Sequence, residues 1–502
     1  MSQSSSSVSA VDSSNDRGGL GGHPKGLTPL FFTEMWERFS YYGMRALLTL
    51  FMVASLEEGG LGYSTERMGF IYGTYTMAVY LLGIVGGFLA DNFIGSRRAV
   101  LYGGIVIACG HFSMAVVSEA TFLLGLVLIS VGTGLLKPNI STMVGSLYSP
   151  SDIRRDSGFS IFYMGINLGS LCAPIVCGWL AQSAMFKGWL AAWGLNPAHS
   201  WHWGFAAAGV GMVLGLIIYL RMGHRLAHVG RAPARAPGES GPWGKLALVT
   251  LGAFALVALM SASDRRPWII QLVFGVHIAA IVWFGTRRDP VLKRIGAILF
   301  FVLGYEIFCA VFEQAGSTIA LFGDELTRTS LFGHDFPSSW FQSLNPMFVL
   351  LLAPIFAWLW IRLGTRQPSS PLKFSLSLAV LALSFALMVP AAKLTADGLV
   401  SPWWLVLLFF LQTVSEMCLS PVGLSTMTKL APAQLVGVVM GLWFVAASLG
   451  NKLSGVMAGQ FTASDPGALA DFFLHQAMWV GAAAVGFFII TPWIRRLMGG
   501  VR

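Results

Sequence analysis

Four ionisable side chains stand where an apolar segment would ordinarily hold none. In the stretch Glu34-Met35-Trp36-Glu37-Arg38-Phe39-Ser40-Tyr41-Tyr42-Gly43-Met44-Arg45 they are Glu34, Glu37, Arg38 and Arg45, inside an apolar run over residues 29–56. Such a run can cross a bilayer, which takes about 20 residues. At about 100° per residue, Glu34, Glu37, Arg38, Tyr41 and Arg45 share one helix face. Each charge at mid-membrane costs about 2.5–3.5 kcal/mol on insertion scales, so this face turns to other helices or to a watery cavity. A structural ion pair needs only one carboxylate beside Arg38. The second carboxylate, the second arginine and the tyrosines point instead to a pathway for protons or a charged solute.

The elements that must hold this face in place follow from composition. The chain has 502 residues, 55% hydrophobic and 11% charged, against about 25% charged in soluble domains. It reads as a polytopic, all-α membrane protein. The 58 glycines suit close helix approach in lipid. The net charge of +9 is scattered over short loops and gives no reason to expect a nucleic-acid partner. The five cysteines lack metal-type spacing and read as packing residues, so no metal site is expected. Residues 1–26 are rich in Ser and Gly, without a cleavable signal pattern, and read as a disordered tail.

Apolar runs place further spans at 68–90, 99–117, 122–147, 159–181 and 203–221, then at 295–321, 339–363, 374–390, 403–430, 436–461 and 472–493. Between the halves lie a basic, Pro-rich stretch and two apolar segments without a central charge, 243–261 and 268–284. The expected organisation is a tail (1–26), a six-helix bundle (27–223), a linker with an inserted helical hairpin (224–290) and a second six-helix bundle with a short tail (291–502), 14 spans in all. Lys and Arg gather in alternate loops, with Arg97, Arg98, Arg154, Arg155, Arg221, Arg225, Arg231, Arg235, Arg287, Arg288, Lys293, Arg294, Arg362, Arg366, Lys373, Arg495 and Arg496 on one side and only Arg67, Lys187, Arg265, Arg266, Arg328 and Lys393 on the other. The positive-inside rule then puts both termini in the cytoplasm, and the expected location is the cell's inner (plasma) membrane.

Rare polar residues recur in these spans. Lys137 precedes Pro138 near the middle of span 4, and Asn167 lies in span 5. Glu306 and Glu313 stand nearly two turns apart on span 7, Asn345 on span 8, and Glu416 just before a proline break on span 10. Cations in the first half could pair with Glu306, Glu313 and Glu416 in the second. A zwitterionic solute could replace such pairs, its carboxylate taking Arg or Lys and its amine taking Glu, at a site near the midplane. Buried carboxylates could carry the coupling proton, and no other cofactor is implied. No Ser-His-Asp set, zinc spacing or phosphate loop is present, which argues against an enzyme and gives no catalytic residue. His111 and His277, in apolar segments, read as packed or interfacial.

The pattern Glu-x-x-Glu-Arg-Phe-x-Tyr-Tyr-Gly, complete at 34–43, resembles the signature of the proton-dependent oligopeptide transporters, the POT or PTR group of the major facilitator superfamily. The segments 134–139, 156–170, 312–314, 342–346 and 415–425 resemble further blocks of that family in the same order. The resemblance implies a major facilitator fold and proton-coupled import of di- and tripeptides by a monomer. It implies proton coupling through Glu34, Glu37, Arg38 and Glu313. It implies peptide contacts from Arg38, Tyr41, Tyr42, Arg45, Tyr80, Lys137, Asn167, Asn345, Glu416, Trp443 and Phe444, and gating pairs Arg45–Glu313 and Lys137–Glu416. The alternative is a POT-like carrier of another small anion such as nitrate. Two departures stand out: Gly73 replaces the histidine of animal relatives, and Cys309 replaces a tryptophan common in bacterial ones.

Overall fold

The computed structural model describes residues 16–149, 151–226, 229–233, 241–262, 266, 268–331, 333–432 and 435–500. Its helices are α1 (Leu27–Val53), α2 (Thr65–Leu89), α3 (Ser96–Met114), α4 (Glu119–Gly145), α5 (Arg155–Gln182), α6 (Ala184–Ala192), α7 (Ser200–Arg221), α8 (Trp243–Ser261), α9 (Trp268–Gly285), α10 (Pro290–Phe312), α11 (Thr318–Glu325), α12 (Leu344–Leu363), α13 (Ser370–Leu394), α14 (Trp403–Leu430), α15 (Val436–Ala458) and α16 (Pro466–Leu497). Twelve of these helices, some with their flanking turns, are long and apolar enough to cross a bilayer. The charged stripe keeps α1 out of that set, although it is 27 residues long. Helix α3, of 19 residues, opens on Arg97 and Arg98. With these two the chain has the 14 spans expected of it.

Helices α1–α5 and α7 pack into one bundle, and α10 with α12–α16 into another. The inserted pair divides its contacts: α8 packs on α2 of the first bundle and α9 on α10 of the second. The side on which α1 begins is called the near side here, and the opposite one the far side. The bundles meet along two seams, α2 against α15 and α5 against α12 with the turn before it. On the first seam the far-side ends touch backbone to backbone. A Cβ on Gly69 would lie 2.4 Å from the Gly455 carbonyl oxygen, and one on Gly455 would lie 2.4 Å from the Gly73 Cα. Small residues at such crossings let helices gain packing contacts that lipid cannot supply.

The span expected at 295–321 is not one helix. It stops at Phe312, tightens into a 3-10 turn at Glu313–Gly316, and resumes at Thr318. No proline marks the break. The carbonyls freed there are satisfied from the first bundle: Thr49 Oγ1 donates to Gly316 O at 3.0 Å and Tyr72 Oη to Glu313 O at 3.3 Å. Non-helical backbone at membrane depth survives only with partners of this kind.

Residues 16–26 also differ from the disordered tail expected of them. They form a 3-10 turn, Leu20–Gly22, folded back on the near side. His23 Nδ1 lies 2.9 Å from Tyr148 Oη, and Arg154 donates to Gly22 O at 3.2 Å. The loop after α4 supplies the partners that composition cannot reveal. The rest of that tail, with Arg235 and Arg265 of the charge tally, lies outside the described residues.

Candidate functional site between the bundles

Helix α1 buries its charged face. Glu34, Glu37 and Arg38 are 3%, 0% and 3% exposed. Arg38 Nε lies 3.1 Å from Glu34 Oε1 and also contacts the Glu37 carboxylate. Its guanidinium stands 5.4 Å from the centre of the Tyr41 ring. Two carboxylates thus share one arginine, and Glu34 Oε2, Glu37 Oε1 and Arg38 Nη2 have no hydrogen-bond partner among the described residues. Helical spacing makes this cluster local to α1.

Two turns further along, Arg45 reaches the other bundle. It donates to the Glu313 carboxylate, and its Nη2 donates to Tyr72 Oη at 2.8 Å. Glu313 sits at the break after α10, where the chain departs from the helix and its side chain meets α1. Arg45 with Glu313 is one of the two pairs expected as gates, and the two side chains are in contact. The other is not formed: no salt bridge joins Lys137 and Glu416 among the described residues. Lys137 Nζ lies over the Tyr80 ring at 4.4 Å, within its own bundle. Glu416 accepts from Asn345 Nδ2 at 3.1 Å, within the other. The physical reason is where the bundles meet: their polar contacts across the seams gather at the far side, and among the described residues α4 and α14 are not main packing partners.

A cavity of about 190 Å³ lies between the bundles. Tyr42, Arg45, Tyr80 and Asn167 line it from the first bundle, and Glu313, Asn345 and Glu416 from the second. Asn167 donates to Tyr163 O in its own helix at 2.9 Å. Glu34, Glu37, Arg38, Tyr41 and Lys137 are not among the lining residues. Neither are Trp443 and Phe444, for which the resemblance implied peptide contacts. Trp443 is 6% exposed and stacks on Tyr305, ring centres 3.9 Å apart, so Tyr305 is the wall and Trp443 its backing. Glu306 does not share the cavity with Glu313 either. It is 1% exposed and faces His277 of α9, Oε2 to Nδ1 3.4 Å.

The sequence reading missed Tyr305, Phe308, Phe312, Tyr163 and Gln412, all of which line the cavity. Tyr305 lies eight residues before Glu313, just over two turns, so the face that carries Glu313 was a usable signal for it. Cys309 does line the cavity, where the departure from relatives placed it. A larger pocket of about 400 Å³ opens on the far side and includes Glu58, Lys187 and Asp324. It lies outside the closed seam and away from the α1 cluster.

Comparison with known proteins agrees with this architecture. The POT family profile matches residues 97–472. The chain belongs to the POT family. The uncharacterized transporter YclF of Bacillus subtilis is 40% identical over 505 residues, covering 96% of each chain. The peptide transporter YePEPT of Yersinia enterocolitica is 39% identical, again over 96% of each. A di-/tripeptide transporter of Lactococcus lactis is 36% identical, covering 96% of this chain and 98% of its own. Among solved structures, a peptide transporter POT in complex with alafosfalin superposes with a TM-score of 0.82 at 38% identity, over 96% of this chain and 98% of that one. A POT family transporter holding a thioalcohol-conjugated peptide gives 0.80 at 30% identity, over 95% and 98%. This POT chain is therefore a multi-span membrane protein with the major facilitator fold.

Proposed function

We propose that this POT transporter carries di- and tripeptides into the cell together with protons, by alternating access. The observation that carries the reading is the cavity lined by Arg45, Glu313, Asn345 and Glu416, with cation and carboxylates on opposite bundles. A peptide's amine suits Glu416 and the Asn345 amide beside it. Its carboxylate suits Arg45, the cation in the cavity wall; Arg38 and Lys137, expected to share that role, stand behind this lining. The relatives named for peptides support the substrate class, and no feature of the cavity favours nitrate over a zwitterion.

The proton's place in this reading is the α1 cluster. Two carboxylates around one arginine carry a net negative charge when both are ionised, which is costly at 0–3% exposure and is removed by one proton. Glu313 is the second acceptor. A proton on it weakens the pair with Arg45 and so frees the bundles to part on the far side.

With the termini in the cytoplasm, the near side is the cytoplasm and this conformation faces inward. The Arg45–Glu313 pair and the Gly69–Gly455 crossing close the outside, and the unmade Lys137–Glu416 pair leaves the inside open. Lys137 and Glu416 would pair in the opposite state. The chain acts as a monomer, since each bundle supplies its half of the cavity. Uptake of labelled dialanine into proteoliposomes tests the substrate class. Unlabelled free dipeptides should compete, whereas N-acetylated dipeptides and nitrate should not. Competition by nitrate alone would overturn the peptide reading.

A further inference from the structure

The second seam holds a polar contact that the transport chemistry does not use. Gln182 is the last residue of α5, in the first bundle. Both ends of its amide reach the second bundle. Nε2 donates to Ser338 Oγ at 2.8 Å and lies 3.3 Å from Asp324 Oδ1. Oε1 accepts from the Ser339 backbone N–H at 3.1 Å. Ser338 Oγ in turn donates to Asp324 Oδ1. The N–H of Ser339 lies in the first turn of a 3-10 helix, Ser338–Ser343, and such a donor has no partner within its own helix. The partner comes from the opposite bundle.

This contact heads a stripe along α5. Below Gln182, Gly178 meets Ser339, whose Oγ would be 2.0 Å from a Cβ at that position. Then Ile175 O accepts from Trp340 Nε1 at 3.1 Å, and Leu171 O from Ser343 Oγ at 2.8 Å. Positions 171, 175, 178 and 182 are spaced four, three and four apart, which puts them on one helix face. The whole face is matched to a single turn of the other bundle. Gln182, Asp324 and Ser338 also border the 400 Å³ far-side pocket, with Glu58 and Lys187. Water from the far side therefore reaches this contact before it reaches the Arg45–Glu313 pair or the peptide cavity.

We propose that Gln182, with Asp324 and Ser338, is the outermost bolt of the far-side gate, a set of positioning residues whose contact must break for the bundles to part. The proposal rests on the alternating-access reading. Arg45 and Glu313 close the far side between the two seams, where α1 meets the break after α10, with charge. The bolt closes the α5 seam with a neutral amide that both donates and accepts, so it neither depends on Glu313 nor repeats it. Each cycle breaks and remakes it.

The test is labelling of Ser170→Cys, a cavity-lining position on α5, in protein whose native cysteines are replaced. A membrane-impermeant maleimide is added to sealed vesicles with the far side outward. Gln182→Ala and Asp324→Ala should each raise the labelling rate about tenfold, the worth of one or two lost hydrogen bonds. The double variant should add little to either. Gln182→Glu sets a carboxylate against Asp324 and should raise the rate further. Gln182→Glu combined with Asp324→Asn restores a donor–acceptor pair and should bring the rate back towards the parent's, which a misfolded protein cannot do. Unchanged labelling in Gln182→Ala and Asp324→Ala, or a swapped pair as fast as Gln182→Glu alone, overturns the bolt while leaving alternating access intact. Labelling absent from the parent protein under every gradient overturns alternating access, and the bolt with it.

Discussion

The two carboxylate–arginine groups of α1 differ in one respect that decides what each can do. Glu34, Glu37 and Arg38 are held within a single helix, Arg38 to Glu34 at 3.1 Å across one turn. Arg45 and Glu313 belong to different bundles. When the bundles rock, the first group travels as a rigid body and the second must part. In the proposed mechanism the first would hold a proton without moving anything, and the second would turn a proton into movement. Burial sharpens the contrast: Glu37 is fully buried, whereas the Arg45 and Glu313 side chains keep 13% and 12% exposure and border the cavity. In the proposed mechanism, a proton held in the cluster becomes useful by passing to Glu313, which would have the mechanical role.

The contrast predicts separable phenotypes. The largest effect belongs to Glu37→Gln: proton-driven dipeptide accumulation falls to the passive level, while exchange of labelled for unlabelled dipeptide continues and far-side labelling of Ser170→Cys is unchanged. Full accumulation in this variant would remove the cluster from the coupling path. Arg45→Ala comes next. It strands the Glu313 carboxylate, and breaking a buried pair from one side costs about 3–5 kcal/mol. Far-side labelling should rise and thermal stability fall, and Arg45→Ala with Glu313→Gln should recover part of both. If Arg45→Ala leaves the gate unaltered, the pair does not report bundle position.

Smaller effects sharpen the picture at the edges. Glu416→Ala should raise KM for free-amine dipeptides about tenfold or more, the loss of one charge-assisted hydrogen bond, and equal effects on N-blocked peptides would deny it the amine. Gly455→Ala puts a methyl group 2.4 Å from Gly73 Cα, an overpacking that costs about 1–3 kcal/mol. It should favour the far-open state, again read by labelling at position 170. The smallest effect concerns the near-side turn. Burial first, and then Arg154, hold the His23 imidazole below its usual range. A group whose folded value is depressed in this way favours the docked turn above the ordinary range of 6.5 and opposes it as pH falls through the lowered value. The protection of the amides at residues 18–26, measured relative to their intrinsic exchange rate at each pH, should therefore fall on acidification below 6.5. Protection indifferent to pH would mean that His23 does not hold the turn.

Much of this was legible in the chain because membrane burial makes polar residues rare and therefore informative. The stripe on α1, the 14 spans and the Arg45–Glu313 pair followed from charge, periodicity and the family motif. What could not be read were features that depend on which helix faces which. The break at Glu313–Gly316 carries no proline, since its stability comes from Thr49 and Tyr72 of the other bundle. Trp443 looked like a pocket wall because nothing in its own helix shows that Tyr305 stands in front of it. Glu306 and Glu313 belong to one expected span, yet the interruption at 313 turns one to the cavity while the other keeps its place against α9. Gln182 gave no signal at all, because a glutamine at a helix end is ordinary until its partners are seen.

The most direct test of the account is dipeptide uptake by the purified protein in liposomes, with an inward proton gradient imposed and then collapsed by an uncoupler. The account predicts accumulation above equilibrium that vanishes when the gradient is collapsed. Uptake that reaches the same level with and without the gradient would contradict it.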